Sequence, residues 1–241
     1  MLIVKAIVNF IVKSIIMKNL LTAFALLATL SATAQTEKTV KLNDTTQLTY
    51  DVASDGKTKE GTYAIKNLKN KGLWVQGHYK ADERNGTWYF FNAQNQLTMR
   101  YNFDQKKLLY VNDADLKDVS INILNGDADM QKNASAPLPL CPIDYFVALA
   151  SSKIYAMNVD AGNIDAEITA YVSADGTAKY TVSYKTANGK VEKQKFNIND
   201  TKFNVQWLPS TYKDKPVDAE FVVYTSIKAN GEGWRRNKWN N

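Results

Sequence analysis

Residues 60–91 read EGTYAIKNLKNKGLWVQGHYKADERNGTWYFF, and one unit recurs in them: Gly61-Thr62-Tyr63, Gly72-Leu73-Trp74, Gly77-His78-Tyr79 and Gly86-Thr87-Trp88. Residues two apart share one face of a strand, so each glycine stands beside its aromatic and leaves bare backbone for a ring from the neighbouring strand. The unit predicts a stack of hairpins cored by rings and glycines, a structural role for Gly61, Tyr63, Gly72, Trp74, Gly77, Tyr79, Gly86 and Trp88.

Outward from this stretch the period of two persists. Upstream, Val40, Leu42, Leu48, Tyr50 and Val52 alternate before the turn pair Asp55-Gly56. Downstream, Leu97, Met99, Tyr101 and Phe103 alternate, 108–111 is apolar, and Val119, Ile121 and Ile123 form one more short strand closed by Asn125-Gly126. An antiparallel meander over 35–126 follows. Residues 127–141 are polar and small, end on Pro137-Leu138-Pro139, and read as an extended linker.

At Pro142 the period changes. Ile143, Phe146, Val147, Leu149 and Ala150 recur at helical spacing behind a proline tolerated in the first turn, which predicts a helix ending near 151–155. From Ile164 the alternation returns, with Ile168, Ala170 and Val172 separated from Tyr180, Val182 and Tyr184 by the hairpin pair Asp175-Gly176. Asn188-Gly189 predicts a second hairpin into 191–198, and Ala219–Ile227 a last strand. Residues 142–230 thus form a second unit of one helix and about four strands. The fold class is α+β, mostly β, and 231–241 is a basic and aromatic tail.

The first 34 residues predict a targeting segment. Met17-Lys18-Asn19 is a short basic start, 20–30 an apolar run, and Ala32-Thr33-Ala34 a small-x-small cleavage signal before Gln35. Met17 is the expected true start, and 20–34 is shorter than the about 20 residues a spanning helix needs. The expected mature protein is periplasmic, envelope-associated or secreted, with no stable membrane insertion after cleavage. An uncleaved anchor is the alternative reading of the same residues.

Charge narrows the partners. The chain holds 30 Lys and Arg against 24 Asp and Glu, but Lys5, Lys13 and Lys18 fall in the leader, leaving 27 against 24. A nearly balanced mature chain argues against nucleic acid as a partner. Cys141 is the single cysteine, so an intramolecular disulfide is impossible.

Raw material for catalysis is thin. His78 is the single histidine, which leaves nothing for a multi-histidine metal site, and alternation turns it away from Tyr79 toward solvent. A nucleophilic Cys141 would need His78, which sits in the other unit. Asp113, Asp115 and Asp118, like Asp127 and Asp129, lack the glycine and distal glutamate of a calcium loop and read as solvated loops. Phosphate-loop and dinucleotide fingerprints are missing, so no enzyme, metal or cofactor is expected. Trp74 and Trp88 read mainly as core, and a sugar- or peptide-binding or hydrolytic face of Trp74, Trp88 and Tyr89 is the alternative if some point outward.

Two resemblances sharpen the expectation. The Gly-x-Tyr and Gly-x-Trp units from Glu60 to Phe91 resemble the MORN-repeat variants of bacterial antitoxin-like and envelope proteins. The helix from Ile143, Ile154-Tyr155-Ala156, the strand after Asp165, Trp207-Leu208-Pro209, Lys215-Pro216-Val217 and the strand from Ala219 resemble the C-terminal domain of TonB-type transducers. That resemblance implies that Trp207 fills the helix–sheet interface, that Pro209 and Pro216 stiffen the crossing, and that the last strand, with Phe221, Val222, Val223 and Tyr224, accepts an extended peptide at a sheet edge. The alternation through Phe196 predicts strands where that family carries a second helix. A short connector with few prolines points to a periplasmic relative rather than an energy transducer. The expected function is a non-enzymatic envelope protein that acts through contacts with an envelope protein or peptide.

Overall fold

The computed structural model describes residues 35–157, 163–185, 189–198, 203–228 and 234–236. The leader, Asn188 and most of the tail lie outside them. The described chain is mostly β with antiparallel sheets. Seven strands pair in sequence order: β1 (Thr36–Asn43), β2 (Thr46–Val52), β3 (Lys59–Asn67), β4 (Gly72–Lys80), β5 (Glu83–Phe91), β6 (Leu97–Asn102) and β7 (Lys107–Val111). Short turns make this order possible, and non-glycine residues at Lys71, Ala81, Asp82, Asn95 and Lys106 take positive φ at their tips.

The glycine units are used unequally. Register sets Tyr63 of β3 opposite Gly77 of β4, and a Cβ built on Gly77 would fall inside the Trp88 ring from β5. With no side chain on β4, Tyr63 and Trp88 meet across it at 5.4 Å, and Tyr79 and Phe103 complete the cluster at 5.4 and 5.5 Å from Trp88. The other three glycines have different tasks. Gly61 (φ +109) lies where the β2–β3 register shifts, and Gly86 (φ +66) needs its conformation while its Cβ direction is empty. Gly72 sits against the Asn70 and Asn95 side chains. Ring-cradling therefore holds for Gly77 alone of the four.

The second sheet is not sequential. Its order is β12 (Val191–Phe196), β11 (Ala178–Lys185), β10 (Ile164–Val172), β16 (Ala219–Ile227) and β17 (Trp234–Arg236), with β8 (Val119–Ile123) also on β16. The strand Val119–Ile123, expected at the end of the meander, thus crosses to the other sheet, where Ile121 pairs Phe221 and Asn122 pairs Glu220. Residues 127–141 are not an extended linker. Asp127 caps the helix α2 (Ala128–Asn133), which follows the one-turn helix α1 (Asp113–Leu116). The following strand β9 (Leu138–Pro139) pairs β13 (Trp207–Leu208), and Leu138, Leu140 and Cys141 are buried. Part of the expected tail is ordered as β17. The tight pair β14 (Ser210–Tyr212) and β15 (Lys215–Val217) carries the chain from β13 into β16.

The helix at Pro142 is α3 (Ile143–Ala156). Pro142 opens it with φ −59 and the Met157 amide closes it on Ile154 O. Among the described residues no second helix stands between β11 and β13. Ile143, Phe146, Val147, Ala150 and Ile154 are buried, and α3 touches both sheets. Tyr145 lies 5.8 Å from Trp74 of the meander, and Phe146 lies 6.1 Å from Phe221 of the second sheet. Trp207 fills the helix–sheet interface, edge-on to Phe146 at 5.6 Å and to Phe221 at 5.2 Å, its Nε1 donating to Tyr180 Oη. One continuous core runs through both sheets.

Candidate functional site

A strand accepts an extended peptide only where one row of its backbone groups is unpaired. The expected acceptor β16 has no such row. Along its whole length it pairs β10, and on its other side β8 covers Ala219–Val223 while β17 covers Thr225–Ile227. Phe221, Val222 and Val223 are buried, and the Tyr224 hydroxyl donates to Glu167 Oε2 at 2.8 Å. The last long strand is therefore central, and edge pairing at Phe221–Tyr224 is ruled out by its own neighbours.

Among the described residues the second sheet has an open edge at β12, whose one neighbour is β11. Its burial alternates, and Val191 is 61% exposed, the most exposed large apolar side chain among the described residues. Lys193 and Lys195 stand on the same face as Val191, opposite Ser183 and Thr181 of β11, and neither forms an ion pair among the described residues. The meander also ends in strands with single neighbours, β1 and β7. On β1 the cations are engaged: Lys38 donates to Gly56 O and Lys41 to Asp44.

The expected aromatic face divides. Trp74 and Trp88 are buried, while Tyr89 is exposed and directly opposes Arg100, which in turn opposes Tyr110. His78 is exposed, and Cys141 is 2% exposed in the core, where burial pushes its thiol far above the ordinary range and keeps it protonated.

Two charged constellations escape the strand and helix patterns. In the first, Arg236 of β17 reaches Asp144 in the first turn of α3 at 3.0 Å and Asp115 of α1 at 3.9 Å, and donates to Asp115 O. The other oxygen of Asp144 accepts the Ala93 amide from the β5–β6 turn. All three charged side chains are at most 15% exposed, so Asp115 is not a solvated loop residue. Burial raises its carboxyl above the ordinary value, Arg236 opposing.

In the second, Arg84 of β5 lies on the core face, two and four residues before Gly86 and Trp88. Its guanidinium stacks 4.7 Å from Trp88, 5.3 Å from Phe103 and 5.1 Å from Phe203, and Nη2 donates to Asn204 O at 3.1 Å. This contact ties the meander to the 203–206 crossing. A cavity of about 580 Å³ opens beside it, with Lys59, Tyr63, Tyr79, Asp82 and Glu83 along its wall. The signal for Arg84 was a cation in register with core aromatics; Phe203 and Arg236 had none.

Among the described residues no helix is long and apolar enough to cross a membrane, and no group of three metal-ligating side chains forms. Comparison with family models, curated proteins and solved structures finds no match to the chain.

Proposed function

We propose that this protein is an exported, non-enzymatic component of the cell envelope that works by holding an extended segment of another envelope protein or peptide. In this reading the meander is a MORN-variant-like presentation module, and the second sheet with α3 is a TonB C-terminal-like domain whose docking edge is β12 rather than the last strand. The observation that carries it is the outer side of β12, unpaired among the described residues, six residues long, with an exposed valine at one end. Main-chain hydrogen bonds along such an edge give affinity with little demand on side chains. The buried thiol and the single exposed histidine support a non-catalytic role.

Site-specific photo-crosslinking in intact cells tests this. A photoreactive residue at Val191 or Lys195 is expected to trap a partner that the same residue at Glu220, on the central strand β16 and paired on both sides, does not trap. Equal capture from both positions, or capture from neither, sinks the docking edge. Sequencing the mature N-terminus separates export from anchoring: a start at Gln35 supports release, and retention of 1–34 supports the transducer-like alternative.

A second reading rests on Tyr89, Arg100 and Tyr110, which follow one another across three strands on the outer face of the meander. Exposed rings around a cation suit a glycan or a peptide side chain. Tyr89→Ala is expected to abolish any glycan-array signal without changing Tm, and an unchanged signal removes this face.

A further inference from the structure

We propose that the cavity beside Arg84 binds a small organic monocarboxylate with a planar apolar body. This is independent of the docking edge, which lies on the other sheet. Charge beside the cavity is unevenly met. Arg84 is half-buried, yet among the described residues it has no carboxylate partner; its protein acceptor is a single carbonyl, Asn204 O. Among the described residues Nη1 is buried with no acceptor. A guanidinium withdrawn from water and left without an anion is an unfavourable arrangement that an anionic ligand relieves.

The walls define what the anion is attached to. Tyr63, Tyr79, Phe103 and Phe203 line a volume of about 580 Å³, within the range of small-molecule sites. Rings on several sides favour a flat apolar group over an open-chain polar one. Charge at the rim defines how much negative charge is tolerated. Lys59 is drawn toward Asp82 at 3.9 Å and its ammonium lies 5.1 Å from the Tyr79 ring centre, while Glu83 is exposed beside them. Asp82 is engaged by Lys59 and Arg84 by no carboxylate among the described residues, so a single added negative charge meets Arg84 favourably and a second meets Asp82 and Glu83. A carboxylate pairs with the planar guanidinium fork through two parallel hydrogen bonds, and a dianion is disfavoured by the rim carboxylates.

The test uses the full chain and phenylacetate as the probe, with phenylacetamide as its neutral isostere and inorganic phosphate as the dianion. Binding is read from tryptophan fluorescence, since Trp88 lies against the guanidinium, and from the Arg84 Nε–H resonance. Phenylacetate is expected to bind saturably, phenylacetamide at least about tenfold more weakly, and phosphate not to compete. Arg84→Lys should weaken phenylacetate while Lys179→Gln, exposed on β11 of the other sheet, leaves it unchanged. Equal binding of acid and amide, competition by phosphate, or no saturation up to about 10 mM overturns the proposal and leaves the cavity as a water-filled seam. If Arg84→Lys fails to fold, the acid–amide comparison on the unmodified chain decides alone.

Discussion

The two sheets of this protein are assembled on opposite principles. In the meander every strand pairs with its sequence neighbour, so each contact closes a short loop. In the second sheet the central strand β16 gathers β8 from almost a hundred residues upstream, β10 from before the β11–β12 pair, and β17 from beyond its own end. The difference teaches where specificity sits in each. The meander depends on what lies on its strands, above all a missing side chain at Gly77. The second sheet depends on clasps that hold distant segments in place, above all Arg236 on Asp144 and Asp115.

The largest expected effect lies in the meander. Gly77→Ala puts a methyl group where the Trp88 ring lies, and is expected to destabilise by about 3 kcal/mol or more, approaching the roughly 3–5 kcal/mol of Trp88→Ala. Gly86→Ala meets no atoms and carries only the left-handed backbone penalty, about 1–2 kcal/mol. Urea unfolding of the three variants checks this order. Equal losses at Gly77 and Gly86 would mean that backbone conformation, not ring packing, governs both sites, and the contrast between the sheets would lose its first half.

That contrast also explains what could be read in advance. The meander strands, both hairpins around β11 and the helix at Pro142 follow from local period and turn residues, and the burial of Tyr63, Trp74 and Trp88 follows from the same register. The destination of Val119–Ile123 does not, because alternation marks a strand without naming its partner. Whether β16 was an edge depended on the same missing information: Phe221-Val222-Val223-Tyr224 is a continuous apolar run, as suits a central strand with covered faces, but only β8 and β17 close its second side. Asp115 looked like one of several loop acids, and only the fold sets it beside Arg236. Arg84 was half legible, being in phase with Trp88, whereas Phe203 and the cavity between them arise from tertiary contact.

Breaking the clasp is the next largest effect. Arg236→Ala leaves the Asp144 and Asp115 carboxylates enclosed without their cation, and a loss on the order of 3 kcal/mol is expected. The loss should be selective: hydrogen exchange rises in β17 and in the adjoining stretch of β16, while the β3–β5 core keeps its protection. Uniform loss of protection across both sheets would mean that they unfold as one unit and that the clasp is not local to the second.

The smallest effect isolates Asp115 and is read from pH. Burial raises its carboxyl, so the folded state holds this proton more tightly than the unfolded state does. Stability from this group is therefore highest below the ordinary carboxylate value, falls as pH rises through the interval above it, and is level once Asp115 is ionised in both states. Asp44, Asp55, Asp129 and Asp175 act in the other direction and in another interval. Hydrogen bonds hold them below 3.8, so their contribution is lost only as pH falls beneath that value. Asp115→Asn should thus remove the decline that sets in as pH rises above the ordinary carboxylate value and leave the more acidic limb untouched. At neutral pH the variant should match or exceed the parent within about 1 kcal/mol, because Arg236 keeps Asp144 at 3.0 Å and the Asp115 side chain has one oxygen without a partner. A marked loss at neutral pH would instead make the Asp115 charge a working half of the clasp, with Arg236 divided between two carboxylates rather than held by one.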